Sequence, residues 1–457
     1  MKYKISNYII IPDAYIGNNK TRLVYSTRTG LVIAIEENTL ENFRKSKFFG
    51  VPKNLIDSLI DSKILVPLEE DEFNSIIEQF ENSKLADSTL NFVITPSANC
   101  QLGCYYCGQI HKKLNISQSL AEKIFLHIKN KLVYKKYTDM DIVWYGAEPL
   151  LGIKSIEYLS GKLIKLAQDS GINYHASMIT NGLNLNKRNF ENLVLNMNVK
   201  SFQITIDGIK ESHDNSRYTK DLKPTFEIIF KNVIDSVNNP IYSSNKVSIS
   251  IRVNIHKNNY KDVEKLIDYV YENNIHNKIH MNFAPVHDWG NNEADKKIGL
   301  NQDEFADLEI GWFLKMQNLG FISQNMIHRP IKNTCMTTKE DAELIDANGK
   351  ISYCWEVPYT PEFELKDEFI IGDLNNENTY NNGSTIPPLR DWYNDIRNKK
   401  HNTNNCYGCT FLPICGGSCP ISWYKDKPAC PSFKFNIEDR LIMDFINNKE
   451  IFKTEKQ

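Results

Sequence analysis

The 457-residue chain predicts an α/β protein with a small α+β domain in front of the main core and a cysteine-rich domain behind it. Three observations carry this. Six apolar runs alternate with helix-patterned segments between residues 87 and 325, as parallel strands with right-handed crossovers do. Seven of the ten cysteines lie beyond that stretch. The length exceeds what one hydrophobic core serves, so residues 1–86, 87–325 and 326–457 are expected as three domains.

Composition excludes several classes. With 54 basic and 56 acidic residues the formal net charge is −2, which leaves no footprint for a polyanion, so no nucleic-acid partner is expected. No apolar run reaches the roughly 18 residues of a membrane span, so no membrane partner is expected. The start, Met1-Lys2-Tyr3-Lys4, lacks a secretory pattern, and a cytoplasmic protein is the expectation. In that compartment ten cysteines are poor disulfide candidates, and their close spacing points to metal.

In the front domain, Tyr8 to Ile11 reads as a strand stopped by Pro12-Asp13. Arg22 to Ser26 and Leu31 to Ile35 read as a hairpin turned at Thr29-Gly30. Leu55, Ile56, Leu59 and Ile60 share one helix face, and Phe73, Ile76, Ile77 and Phe80 share another. Strands followed by helices make a small winged-helix-like α+β domain.

In the core the expected strands are 90–95, 141–145, 174–179, 201–206, 247–254 and 279–283. Ser119 and Glu122 have capping-box spacing at the start of the helix after the first strand. Alternating folds place ligand sites at the carboxyl ends of their strands. Each polar motif falls there. Cys100-Gln101-Leu102-Gly103-Cys104-Tyr105-Tyr106-Cys107 follows strand one, and Gly146-Ala147-Glu148-Pro149 follows strand two. Thr180-Asn181-Gly182, Thr205-Ile206-Asp207-Gly208, Asn254 and Pro285 to Asp288 end the others. Arg252 and Asn254 lie two apart, hence on one face, where a buried Arg252 needs an anionic partner.

Three thiolates in eight residues, with no fourth nearby, suit a four-iron cluster that leaves one iron open. A structural zinc site is the other chemistry such cysteines serve. In the tail, Leu344 to Tyr353 reads as a hairpin turned at Asn348-Gly349, between Cys335 and Cys354. Cys406, Cys409, Cys415, Cys419 and Cys430 follow. Seven cysteines exceed one tetrahedral zinc site and fall short of two.

The Cys100–Cys107 loop, with Tyr106 before its last cysteine, resembles the radical SAM signature, and the tail matches the seven-cysteine pattern of the SPASM domain. This resemblance implies a partial (β/α)6 radical SAM barrel with a SPASM domain, and a peptide maturase. It implies that Cys100, Cys104 and Cys107 hold a cluster binding S-adenosyl-L-methionine, which is cleaved reductively to a 5′-deoxyadenosyl radical. Gly146, Ala147, Glu148 and Pro149 resemble the Gly-Gly-Glu-Pro motif, whose expected role is to meet the methionine amino group. Thr205 and Asp207, with His213-Asp214 and Arg217 beyond them, resemble the fourth-strand region. There the hydroxyl and Arg217 are expected near the cofactor's ribose and carboxylate, although a surface ion pair is the other reading of Arg217. Asn181 and Asn254 are further expected cofactor contacts.

By the same resemblance, Cys406, Cys409, Cys415 and Cys430 hold one auxiliary cluster. Cys335, Cys354 and Cys419 hold three irons of another, which makes three [4Fe-4S] clusters in all. The front domain resembles leader-recognition domains, which add a peptide strand to a sheet edge; a structural cap is the alternative. The implied function is an oxidative cross-link, thioether or carbon–carbon, in a ribosomal precursor peptide. The implied electron donor is a flavodoxin or ferredoxin. Two other readings remain, a formylglycine-forming anaerobic sulfatase maturase and a non-catalytic iron–sulfur peptide carrier. Sulfatase maturases tend to carry Asp after the cysteine matching Cys354, where this chain has Trp355 and then Glu356.

Overall fold

The computed structural model describes residues 2–17, 20–288, 292–322, 325–363, 366–376 and 387–447. The front domain runs β1 (Tyr3–Ile5), β2 (Ile9–Ile10), β3 (Thr21–Ser26), β4 (Val32–Glu36), α1 (Glu37–Arg44), α2 (Lys53–Asp61), β5 (Leu65–Pro67) and α3 (Glu72–Leu85). β3 and β4 form the expected hairpin, β2 flanks β3, and β1 pairs with β5. Gly30 takes the positive φ of 76° that the hairpin turn needs.

The core runs β6 (Thr89–Ile94), α4 (Gln118–Lys131), β7 (Asp139–Trp144), α5 (Ile153–Ser170), β8 (Asn173–Thr180), α6 (Lys187–Leu195) and β9 (Val199–Thr205). It continues with α7 (Lys210–Ser216), α8 (Phe226–Val237), α9 (Pro240–Ser244), β10 (Ser248–Ile255), α10 (Val263–Glu272), β11 (Ile279–Pro285), α11 (Ala294–Ile298) and α12 (Gln302–Asn318). β6 to β11 lie side by side in chain order, all parallel, as the alternation requires. On β10, Ile249, Ile251, Val253 and Ile255 are buried against the helices. Ser250, Arg252 and Asn254 therefore share the opposite, concave face.

The cap of α4 departs from expectation. Ser117 is the N-cap, its hydroxyl accepting from the Leu120 amide at 3.1 Å. Ser119 and Glu122 fall inside the helix, where Glu122 instead bonds Tyr158 and Lys162 of α5.

The tail runs β12 (Ala342–Ile345), β13 (Lys350–Ser352), β14 (Ile370–Asp373), α13 (Trp392–Arg397), α14 (Leu412–Cys415), α15 (Pro420–Tyr424) and α16 (Phe433–Asn447). β12 and β13 form the expected hairpin. Beyond expectation, β12 also pairs in parallel with β6, from Ala342 opposite Asn91 to Ile345 opposite Ile94. Core and tail thus share one nine-stranded sheet.

The front domain is separate in sequence but not in packing. The α3 stripe of Phe73, Ile76, Ile77 and Phe80 packs into the tail's core with Tyr353, Trp392 and Tyr393. Leu23 and Tyr25 of β3 pack against Ile437 and Leu441 of α16. Among the described residues no helix is long and apolar enough to cross a membrane.

Candidate active site

The cysteine loop leaves the carboxyl end of β6 and is pinned from the side. The Gly103 amide donates to the Tyr218 carbonyl at 2.8 Å, and the Lys220 amide donates to the Gln101 carbonyl at 2.9 Å. Cys100, Cys104 and Cys107 face one cavity of about 1340 Å³. Burial pushes the Cys100 thiol up to about 12 and the Cys104 thiol up to about 11. Thiols raised in this way give up their protons when a metal replaces them. All three come from one eight-residue loop, and among the described residues no fourth cysteine lines the cavity, a donor set that fits a four-iron cluster with one open iron.

Seven of the ten expected cofactor contacts line the same cavity: Tyr106, Gly146, Ala147, Asn181, Thr205, Arg217 and Asn254. They lie at or beyond the ends of β6 to β10, Arg217 just after α7, so the sheet gathers residues more than a hundred positions apart. Gly146 has φ 117°, and a β-carbon there would stand 2.7 Å from Thr95 Cβ. Only glycine fits this position, whereas Ala147 is accommodated.

The other three, Glu148, Pro149 and Asp207, do not line the cavity. The Glu148 carboxylate is fully buried and turned into the protein. It accepts from Thr180 Oγ1 at 2.7 Å, the Asn181 amide at 2.8 Å and the Leu150 amide at 3.0 Å. Burial raises its pKa, and these bonds oppose the rise. The carboxylate therefore ties the β7 loop to the β8 loop, and the backbone of Gly146 and Ala147 is what faces the cavity. Pro149 is buried at the start of a 3-10 turn behind it. Asp207 is fully buried and accepts from the Tyr106 hydroxyl and from the Asn254 amide at 2.8 Å.

Tyr106 is the hub of this wall. Its hydroxyl also accepts from Arg217 Nη1 at 2.6 Å and Asn254 Nδ2 at 3.1 Å. Arg217 lies 3.8 Å from Asp207 and is almost fully buried, which excludes the surface ion pair. Burial works against its charge, but the Asp207 carboxylate and the bond to the Tyr106 hydroxyl act the other way, and on balance its pKa is raised. Sequence reasoning missed Tyr145, Gln203 and Trp355, which also line the cavity. Gln203 could have been found, because it shares the inward alternation of β9 with Thr205.

The tail cysteines form two groups. Cys406, Cys409, Cys415 and Cys430 line a second cavity of about 320 Å³. Burial pushes the Cys406 and Cys415 thiols up to about 12. Lys434 Nζ stands 3.4 Å from Cys430 Sγ. Cys335, Cys354 and Cys419 form the other group: Cys335 and Cys419 stand near enough to Cys354 that ionising either would oppose ionising it. Glu356 acts on Cys354 as well, and it pairs with Lys425 at 3.6 Å and His287 at 3.5 Å. Trp355, next in sequence to Cys354, lines the first cavity, its ring 4.8 Å from that of Tyr145.

Comparison with known proteins agrees with this geometry. Residues 94–291 match the profile of the Radical SAM superfamily. The cysteine-type anaerobic sulfatase-maturating enzyme of Clostridium novyi (strain NT) is 23% identical over 391 residues, spanning 77% of this chain and 96% of the relative. The structure of anSMEcpe with bound AdoMet and the Cp18Cys peptide aligns with TM-score 0.52 and 17% identity, covering 78% of this chain and 99% of that one. Streptococcus suis SuiB bound to S-adenosylmethionine aligns with TM-score 0.50 and 14% identity, covering 94% of this chain and 98% of that one. The cysteine loop lies inside the superfamily match, so this enzyme carries a radical SAM domain over residues 94–291, on a fold it shares with anSMEcpe and SuiB.

Proposed function

We propose that this enzyme modifies a ribosomally made precursor peptide, joining two of its residues by a thioether or carbon–carbon bond with net loss of two hydrogens. The superfamily implies a [4Fe-4S] cluster and S-adenosylmethionine. Cys100, Cys104 and Cys107 would hold that cluster, and when bound it supplies the 5′-deoxyadenosyl radical that abstracts a hydrogen. The chain's own residues position and shield. Gly146, Ala147, Asn181, Thr205, Arg217 and Asn254 would seat the cofactor, and Tyr145 and Trp355 would wall the reacting carbon from water. The two tail groups would hold auxiliary clusters that take up the remaining electron, with a flavodoxin or ferredoxin as reductant. A cytoplasmic setting suits this chemistry.

The observation that carries the peptide reading is coverage. anSMEcpe, crystallised with a peptide, spans 78% of this chain, while SuiB spans 94%. Most of the chain thus has the fold of a peptide-binding enzyme, and the remainder is large enough to hold a further domain. In that front domain β4 has no strand on its outer side among the described residues, which leaves an edge for a leader peptide. Formylglycine formation is the second reading, favoured by the Clostridium novyi relative. Against it, an indole occupies position 355, and Glu356 is engaged by Lys425 and His287.

The test is anaerobic reconstitution of the full chain with iron and sulfide, followed by SAM and two substrates. One is the peptide encoded by the short open reading frame nearest the gene; the other is a cysteine-containing sulfatase peptide. About twelve irons per chain and loss of two hydrogens from the first peptide are expected. Conversion of the sulfatase peptide alone would overturn the cross-linking reading, and iron near four would overturn the auxiliary clusters.

A further inference from the structure

Arg252 sits on the concave face of β10, between Thr205 of β9 and Asn282 of β11. It lines the main cavity with Gln203 and Tyr145. Its Nε donates to Asn254 Oδ1 at 3.0 Å, a neutral acceptor. Among the described residues no carboxylate forms an ion pair with it. Asp207, the carboxylate whose charge reaches it most strongly, already accepts from Tyr106 and the Asn254 amide and lies beside Arg217. The Gln203 side chain makes no hydrogen bond among the described residues either. The need for an anion at Arg252 is therefore not met inside the chain. A guanidinium in a partly desolvated cavity is costly without one, and its terminal nitrogens match the two oxygens of a carboxylate.

We infer that Arg252, with Gln203 beside it, forms a carboxylate-binding subsite on the substrate side of the cavity, so that the peptide carries an acidic side chain near the residue being modified. The inference rests on the peptide reading above and names a feature of that substrate. Two molecules could bring the carboxylate, SAM and the peptide. Position favours the peptide. Arg217 donates to Tyr106 of the cysteine loop and its neighbour Ser216 accepts from the Tyr105 amide at 3.4 Å, whereas Arg252 bonds Asn254 on its own strand. A cofactor held at the Cys100, Cys104 and Cys107 loop would lie on the Arg217 side of the cavity. Arg252 is left for the molecule that fills the Tyr145 and Trp355 side.

The experiment uses the reconstituted full chain saturated with SAM and needs no turnover, so its outcome is independent of the modification assay. Two probes are titrated, acetyl-Ala-Glu-Ala-amide and acetyl-Ala-Gln-Ala-amide, with binding read by saturation-transfer NMR. The Glu peptide is expected to bind about tenfold more tightly than the Gln peptide. In Arg252→Gln that preference should fall to within about twofold, while SAM affinity by calorimetry holds within about twofold. Arg252→Lys keeps the charge and should retain part of the preference, which separates loss of the subsite from loss of the fold. Equal binding of the two peptides to the native chain, or no binding of either, would overturn the inference. A tenfold loss of SAM affinity in Arg252→Gln would also overturn it, since the carboxylate would then be the cofactor's own.

Discussion

Glu148 spends its carboxylate on the chain itself, through Thr180, Asn181 and Leu150. Glu148→Gln turns one acceptor into a donor facing another donor, which costs roughly 1–3 kcal/mol at a buried site. Chemical denaturation should show that loss, and SAM affinity should fall along with it because the Asn181 loop loosens. A fall in SAM affinity with unchanged stability would instead mean direct contact. The motif was legible in the sequence, but the direction of its side chain was not: spacing identifies a loop, whereas three competing donors decide where a carboxylate points. Arg252 was legible by the same two-residue alternation that placed Asn254, and its unmet anion emerged only once neighbouring strands were in place. His256 gives a pH-dependent case. It is buried, and burial alone lowers its pKa from 6.5 to about 4. The unfolded chain therefore binds the proton first as pH falls. The contribution of neutral His256 is complete above about pH 6.5 and is lost progressively toward pH 4, at roughly 1.4 kcal/mol per pH unit. His256→Gln should flatten the acid limb of a plot of stability against pH by about that slope.

At the scale of elements, the six core strands were readable to within a residue or two because alternation and helix spacing agree along the whole stretch. The α3 stripe was also readable, but its partner was not, since a helix face says only that something covers it. That partner is the tail. Phe80 is buried and stacks on Tyr393 with ring centroids 4.7 Å apart. Phe80→Ala should cost about 3–5 kcal/mol. Because the same apolar cluster holds Cys354 and Cys406, the variant should also bind less iron in the tail, measured as a fall in iron per chain after reconstitution. Unchanged iron with a lower melting temperature would mean that the thiol groups are held without α3. Recognition and capping, read as alternatives from the sequence, are thus compatible: α3 covers the tail, while among the described residues no strand pairs with the outer side of β4.

At the scale of the molecule, the pairing of β12 with β6 was the least legible feature. The hairpin could be read from Asn348-Gly349, but its docking depends on a register set by residues some 250 positions away. Ending the chain after residue 325 would remove β12 and leave the inner strand β6 as a raw sheet edge. Such a chain is expected to aggregate, seen as early elution in size-exclusion chromatography and rising light scattering. A monodisperse core at the same concentration would show that β6 needs no cover.

The same seam bears on how such proteins diversify. A tail borrowed from another chain would have to bring a strand that presents the right face to Asn91, Phe92, Val93 and Ile94, in step with them. A one-residue slip would turn Leu344 outward and Glu343 inward. Core and tail are therefore heritable as a matched pair. Exchange of tail segments between lineages should leave its scar outside this sheet, in the loops beyond β14.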